Sequence, residues 1–245
     1  MIDPLLLSVT KVSTFRGTLP LTNASGFFFS RDESLFLVTS RHVLWDERSE
    51  HYPDSILIEL HTDEDNVAQA VDFSMPLYDG GKSVWRQTND QTGGVDVAVI
   101  EISRDALPTD VSYRAFTMDQ LVGMRSVEVG TPLLVVGCPL GFHDTLHHLP
   151  VARHAILASC FDLRFQGEGY FLTDARTHRG MSGAPVVMRS GVDDDCPEDF
   201  PWLLAGIHSA RLDVGSRDLN LDEVLGLNCA WFSDILTTLT ATEQS

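Results

Sequence analysis

The sequence predicts an all-β protein, because short apolar runs typical of strands recur along the chain, turn-forming residues separate them, and helical patterns do not alternate with them. Nine such runs are visible: GFFFS, LFLVTS, SILIEL, VDVAVIEI, TPLLVVG, HAILASCF, GYFLT, APVVM and WLLAGIHSA. A parallel sheet would need a helix between consecutive strands, so the pattern favours antiparallel barrels or sandwiches.

The strands fall into two clusters that are separated by residues 103–130, where the strand pattern lapses and turn residues accumulate. We therefore expect a first domain over residues 1–112, a second over residues 113–228, and a C-terminal helix with a tail over residues 229–245. Four apolar residues at helical spacing predict that helix: Trp231, Ile235, Leu236 and Leu239.

Composition and charge exclude several classes of partner. The 245 residues include 35 acidic and 17 basic side chains, which gives a formal net charge of -18. Nucleic acids and anionic membranes bind basic surfaces, so neither is an expected partner. The N-terminus, MIDPLLLSVTKVSTFRG, lacks the basic region, the long apolar core and the cleavage site of an export signal, so we expect a cytoplasmic protein.

Metal or cofactor chemistry is not expected from the sequence. Four cysteines lack the CxxC spacing of zinc and redox sites: Cys138, Cys160, Cys196 and Cys229. In a reducing compartment they would be free thiols, although the even count leaves two disulfides open. The string FHDTLHH groups His143, His147 and His148, but no cysteine or matched carboxylate stands nearby, so the sequence predicts no metal site.

Three short strings place a histidine, an aspartate and a serine in that order: His42 in LVTSRHVL, Asp96 in GGVDVAVIEI and Ser182 in HRGMSGAPVV. A serine hydroxyl becomes a good nucleophile when an imidazole accepts its proton, and the imidazolium then needs a carboxylate to orient and stabilise it. The spacing puts the first two residues in one strand cluster and the serine in the other. Asp54 and Asp72 are alternatives to Asp96, but neither leads an alternating apolar strand.

The order of these strings disfavours an α/β-hydrolase, whose nucleophile elbow reads GxSxG and whose serine comes first. Instead, the strings resemble those of trypsin-like serine peptidases of the chymotrypsin fold, close in style to bacterial HtrA-type enzymes and glutamyl endopeptidases. SGFFFSRDESLFLVTSRHVL is similar to the family's histidine signature, DVAVIEI to its aspartate strand, TDARTHRGMSGAPVV to its bacterial serine loop and LLAGIHSA to the following strand. VVGCPLG is similar to a bacterial GNPLG string, with Cys138 in place of the asparagine.

The resemblance spans most of the chain and implies two six-stranded antiparallel barrels with a C-terminal α-helix. It also implies a serine endopeptidase, without a cofactor, that acts on proteins or peptides. His42 would be the general base, Asp96 its orienting partner and Ser182 the nucleophile. The backbone amides of Gly180 and Ser182 would form the oxyanion hole, since glycine at position 180 lets the two N–H groups converge.

The resemblance to glutamyl endopeptidases implies a specificity pocket with Thr177 and His208, and Ser209 and Arg179 complete the expected substrate-binding set. A hydroxyl and an imidazole donate hydrogen bonds to a carboxylate or carboxamide without a fixed positive charge, so we expect glutamate or glutamine at P1. Arg176 stands where cleavage after lysine or arginine would require an acid.

Two alternatives to a free-standing peptidase stay open at this stage. The first is a catalytically silent peptide-binding scaffold on the same fold. The second is an effector peptidase that is inactive until a regulatory protein partner binds. The sequence has no room for an appended PDZ domain, which leaves substrate recruitment unexplained; a partner protein could supply it.

Overall fold

The computed structural model describes residues 2–123, 127–191, 194, 196–211 and 226–241. Most of its regular elements are antiparallel strands, so the all-β prediction is confirmed. The strands of the first half are β1 Val9–Arg16, β2 Leu19–Arg31, β3 Ser34–Thr39, β4 Ser55–His61, β5 Ala70–Pro76, β6 Tyr78–Asp79, β7 Lys82–Ser83, β8 Trp85–Arg86, β9 Asn89–Asp90, β10 Gly93–Gly94 and β11 Ala98–Ile102. Helix α1 spans Arg41–Leu44.

Seven strands of the first half pair into one antiparallel sheet, in the order β5-β4-β1-β2-β3-β11-β8. The resemblance implied a closed six-stranded barrel here, whereas the sheet has seven strands, with β5 and β8 at its edges. The additional strand is β8, in which Trp85 and Arg86 pair with Ile100 and Val99 of β11. Two residues are too few to show the alternation by which strands are recognised in a sequence.

The second half forms the expected closed six-stranded barrel, in the order β12-β13-β14-β17-β16-β15. Its strands are β12 Pro132–Gly137, β13 Val151–Leu157, β14 Tyr170–Ala175, β15 Pro185–Arg189, β16 Trp202–Arg211 and β17 Leu227–Phe232. Strand β17 extends past the domain boundary placed at residue 228 and includes Trp231, which the sequence pattern assigned to the C-terminal helix. Helix α2 follows at Ile235–Leu239. Among the described residues, no helix has the length and apolar character needed to cross a membrane.

The two halves meet in a shared apolar core. One buried cluster combines side chains of the first sheet with side chains of the barrel: Phe27, Phe29, Val38, Val136, Leu204 and Ile207. Phe116, from the segment between the halves, is fully buried and packs against the rings of Phe27 at 5.7 Å and Phe200 at 4.9 Å. Burying one such side chain contributes about 1.5–3 kcal/mol, so this segment holds the sheet and the barrel together.

Candidate active site

Strand pairing brings the predicted histidine and aspartate together. Strands β3 and β11 are antiparallel, and Thr39 at the end of β3 lies opposite Ala98 at the start of β11. His42, in α1 just after β3, and Asp96, just before β11, therefore lie at the same end of the sheet. The first carboxylate oxygen of Asp96 accepts a hydrogen bond from the His42 backbone N–H at 2.9 Å. Its second oxygen lies 2.7 Å from His42 Nδ1.

The environment of the pair sets its protonation. Burial lowers the pKa of His42, but the hydrogen bond and negative charge of Asp96 outweigh burial and raise that pKa above 6.5. Burial raises the pKa of Asp96, but hydrogen bonds and charge from His42 and a hydrogen bond from Ser209 Oγ leave it below 3.8. Asp96 is thus ionised at neutral pH and holds the imidazole with Nε2 directed away from the carboxylate.

Two overlapping turns present Ser182. The Met181 amide donates to His178 O at 3.2 Å, and the Ala184 amide donates to Met181 O at 2.9 Å. The third residue of each turn is a glycine with positive φ, +91° at Gly180 and +84° at Gly183. Turns of this kind need glycine at that position, which explains why two glycines flank the Met181–Ser182 pair.

A hydrogen bond fixes the direction of the peptide between Arg179 and Gly180. The Arg179 carbonyl accepts a hydrogen bond from the Leu140 N–H at 2.5 Å. In a trans peptide the C=O and N–H point in opposite directions, so the Gly180 N–H faces away from Leu140. Within the described part of the chain, the amides of Gly180 and Ser182 donate to no protein acceptor. Two backbone donors beside the serine hydroxyl are therefore available to an oxygen anion.

Ser25 supports this arrangement, and sequence reasoning missed it. Its buried hydroxyl donates to Gly180 O at 2.7 Å and accepts from the Cys138 N–H at 2.9 Å, while its own N–H donates to Ser182 O at 3.0 Å. The only signal in the sequence was a polar residue directly before the buried run GFFF. Ser25 belongs to the first sheet, so the oxyanion turn is held partly by the other half of the molecule.

His42, Gly180 and Ser182 line one cavity of about 400 Å³ between the two halves, and Arg179 lies at its wall. The structure thus gathers the predicted nucleophile, base and oxyanion residue around one space, with Asp96 behind the histidine. Of the alternatives to Asp96, Asp54 and Asp72, the first accepts the Gly17 amide at 2.7 Å and the second is exposed on β5.

The expected specificity residues have different surroundings. Thr177 and His208 are buried and do not line this cavity. The Thr177 hydroxyl donates to the side-chain oxygen of Asn228, and the backbone of His208 bonds to Gly183 and Ala184 beside the serine. Ser209 donates its hydroxyl to Asp96, so its side chain positions the carboxylate. Sequence reasoning had grouped Ser209 with the substrate-binding residues, and it missed Asn228.

Comparison with known proteins agrees with this architecture. The family model for the trypsin-like peptidase domain matches residues 24–192. The crystal structure of a serine endoprotease from Yersinia pestis has a TM-score of 0.55 at 16% identity; the match covers 96% of this chain and 62% of that one. The active form of the Rv3671c protease from M. tuberculosis has a TM-score of 0.53 at 14% identity, with 99% and 85% covered.

No curated protein sequence matches this chain. Identities of this size show a shared fold, and the chain spans less than two thirds of the Yersinia endoprotease. The family model, by contrast, covers more than half of the present chain and includes all three residues of the predicted triad. This chain therefore belongs to the family of trypsin-like peptidase domains.

Proposed function

We propose that this chain is a serine endopeptidase that cleaves peptide bonds through His42, Asp96 and Ser182. The observation that carries the proposal is that an imidazole, bonded through Nδ1 to a partly buried carboxylate, shares a cavity with Ser182. Beside it, the amides of Gly180 and Ser182 donate to no acceptor among the described residues. A scaffold that only binds peptides has no need of this combination.

The proposed chemistry follows from these positions. Nε2 of His42 accepts the proton of the Ser182 hydroxyl as Oγ attacks the substrate carbonyl, and the oxyanion of the tetrahedral intermediate accepts hydrogen bonds from the amides of Gly180 and Ser182. The imidazolium then protonates the leaving amine, which leaves an acyl-enzyme. Water, deprotonated by His42, attacks the ester and releases the carboxylate product and the serine.

Labelling with a fluorophosphonate tests this proposal against both alternatives. The reagent forms an Oγ–P bond and releases fluoride only when the serine is activated. We expect the purified chain to be labelled at Ser182, with labelling lost in His42→Ala and retained in His51→Ala, which changes another histidine of the same cavity. The labelled position is read by mass spectrometry of the peptides.

The outcomes of this experiment separate the three functions. Labelling of the isolated chain supports an endopeptidase that needs no partner. A chain that is never labelled, alone or with candidate partners, is the peptide-binding scaffold. Labelling that appears only after a partner protein is added identifies an effector peptidase and contradicts an enzyme that is competent alone.

We also propose that the enzyme prefers glutamine or glutamate at P1. Two observations support this preference: Thr177 and His208 are buried next to the serine turn, and Arg176 stands in place of an acid. A mixed peptide library should therefore yield products that end in Gln or Glu, and Thr177→Val should reduce this selectivity about tenfold, the scale of one lost hydrogen bond. Products that end in Lys or Arg would contradict the proposed pocket.

A further inference from the structure

A carboxylate and two imidazoles meet in the contact between the two halves of the molecule, outside the cavity that His42 and Ser182 line. Glu59 lies on β4 of the first sheet, and His143 and His148 lie in the barrel segment between β12 and β13. His143 Nε2 is 3.4 Å and His148 Nδ1 is 3.2 Å from the same oxygen, Glu59 Oε2. The three ligand atoms lie within 4.8 Å of one another.

A hydrogen bond to a backbone carbonyl determines which nitrogen of His143 carries the hydrogen, and therefore which one has a lone pair. His143 Nδ1 lies 2.8 Å from the carbonyl oxygen of Gly141, and a carbonyl can only accept. Nδ1 therefore carries the hydrogen, and in the neutral ring Nε2 has a lone pair directed at Glu59 Oε2. Two lone pairs at 3.4 Å repel each other unless a cation lies between them. The side chain of His143 is only 7% exposed, so bulk water does not relieve this repulsion.

A metal ion of the zinc class fits this donor set. Two imidazole nitrogens and one carboxylate oxygen form a familiar zinc set with one position left for water, and bond lengths of about 2.0–2.1 Å place tetrahedral ligand atoms about 3.3 Å apart. The two distances to Glu59 Oε2, 3.4 and 3.2 Å, agree with that value, and the two imidazole nitrogens lie within 4.8 Å of each other. An imidazole that binds metal almost always donates its other N–H to a carbonyl or carboxylate, as His143 does here.

The charged and titratable neighbours set the strength of such a site. Lys11 binds the other oxygen, Glu59 Oε1, at 2.6 Å and leaves Oε2 to the imidazoles. Its positive charge disfavours a dication nearby, so the affinity is below that of a site with an unshared carboxylate. The ring of His61 packs edge-on against His148 at 6.4 Å, and His147 is bound to Asp144 at 2.7 Å, outside the cluster.

We propose that Glu59, His143 and His148 bind a divalent transition-metal ion, with zinc as the best match, and that this ion joins the first sheet to the barrel. The proposal does not depend on the catalytic roles proposed above. A metal ion would bind both imidazoles in their neutral form.

The test uses the full chain carrying Ser182→Ala, which prevents self-cleavage, after treatment with a chelator. Zinc is titrated at neutral pH against a chromophoric competitor. We expect one equivalent to bind, with an affinity at least about tenfold lower in Glu59→Gln and in His143→Ala. His147→Ala is the matched control, because it removes a histidine of the same segment that lies outside the cluster, and it should bind zinc as the parent does.

Two further measurements keep the test decisive if a variant folds poorly. X-ray absorption on the zinc-loaded parent should show nitrogen and oxygen neighbours at about 2.0–2.1 Å, including two imidazole rings. Zinc in excess should also raise the melting temperature of the parent by roughly 5 °C and leave that of Glu59→Gln unchanged.

Three results would overturn the proposal. One is no bound equivalent of zinc. Another is an equal affinity in all variants, which would place the metal elsewhere, for example at the exposed thiol of Cys160. The last is an absorption spectrum without two imidazoles. If no zinc binds, the carboxylate and the two imidazoles form only hydrogen bonds and ion pairs with one another.

Discussion

Replacing Asp96 with asparagine should lower kcat/KM for peptide hydrolysis about 10⁴-fold. One oxygen of Asp96 accepts the His42 backbone N–H, and the other faces Nδ1 and the Ser209 hydroxyl. An asparagine has one oxygen and one NH₂ group, so its NH₂ must face either the His42 backbone N–H or the side with Nδ1 and the Ser209 hydroxyl. If that group faces Nδ1, the imidazole carries its proton on Nε2 and can no longer accept the proton of Ser182.

The pH profile of this variant gives a second readout. Only neutral His42 can act as the base, so activity rises with pH through the pKa of His42. Burial lowers this pKa, and the hydrogen bond and charge of Asp96 raise it above 6.5. Without the carboxylate, burial remains and the charge is lost, so the acid limb of kcat/KM should move to lower pH. A limb that moves to higher pH would contradict the proposed pairing.

Asp72→Asn is the matched control, because it makes the same change on the exposed side of β5. It should retain parental activity. Thermal unfolding should show that both variants are folded. A loss of activity in Asp72→Asn as large as in Asp96→Asn would show that Asp96 has no special role.

The second prediction concerns Gly180, where alanine should lower kcat/KM about 10²–10³-fold, the usual effect of losing one oxyanion donor. The new Cβ would lie 2.6 Å from Cys138 O and 2.8 Å from Leu140 N, both backbone atoms. Backbone atoms cannot rotate out of the way as a flexible side chain does. The peptide that directs the Gly180 N–H toward the cavity must therefore shift.

Gly130→Ala provides an unusually close control. Gly130 has the same φ of +91°, but a Cβ there would meet nothing within 4 Å. Both alanines therefore have the strain of a left-handed conformation, about 1–2 kcal/mol, while only the one at position 180 also crowds the oxyanion turn. Thermal unfolding should show a comparable loss of stability in both variants. Steady-state kinetics should show a fall in kcat/KM for Gly180→Ala alone. Equal catalytic losses would mean that strain, and not the position of the amide, determines activity.

The sequence was most informative where structure is determined locally. Gly180 and Gly183 could be predicted as turn residues, because a positive φ at the third turn position requires glycine whatever the rest of the chain does. The apolar runs of β3 and β11 could also be predicted as strands, although which strands pair could not; the observed pairing places His42 beside Asp96.

Contacts between distant parts of the chain could not be predicted in the same way. In the sequence, Ser25 has no feature that marks it as special. Its role appears only in the fold, where its hydroxyl donates to the carbonyl of Gly180, 155 positions later. The histidines of FHDTLHH have no matched carboxylate in their own segment, because Glu59 is supplied by a strand of the other half. Neither the Ser25–Gly180 contact nor the contact of Glu59 with the histidines leaves a local sequence pattern, since both depend on how the barrel docks onto the sheet.

The bridge made by Ser25 also has a consequence for synthesis. While only the first half has left the ribosome, the nascent polypeptide holds His42 and Asp96 but neither the alcohol nor its anion-binding amides. When the barrel docks, Ser25 locks Gly180 and Ser182 into register. In the proposed mechanism, a nascent chain without the barrel therefore has neither a nucleophile nor anion-binding amides, so it cannot cleave proteins during its own synthesis.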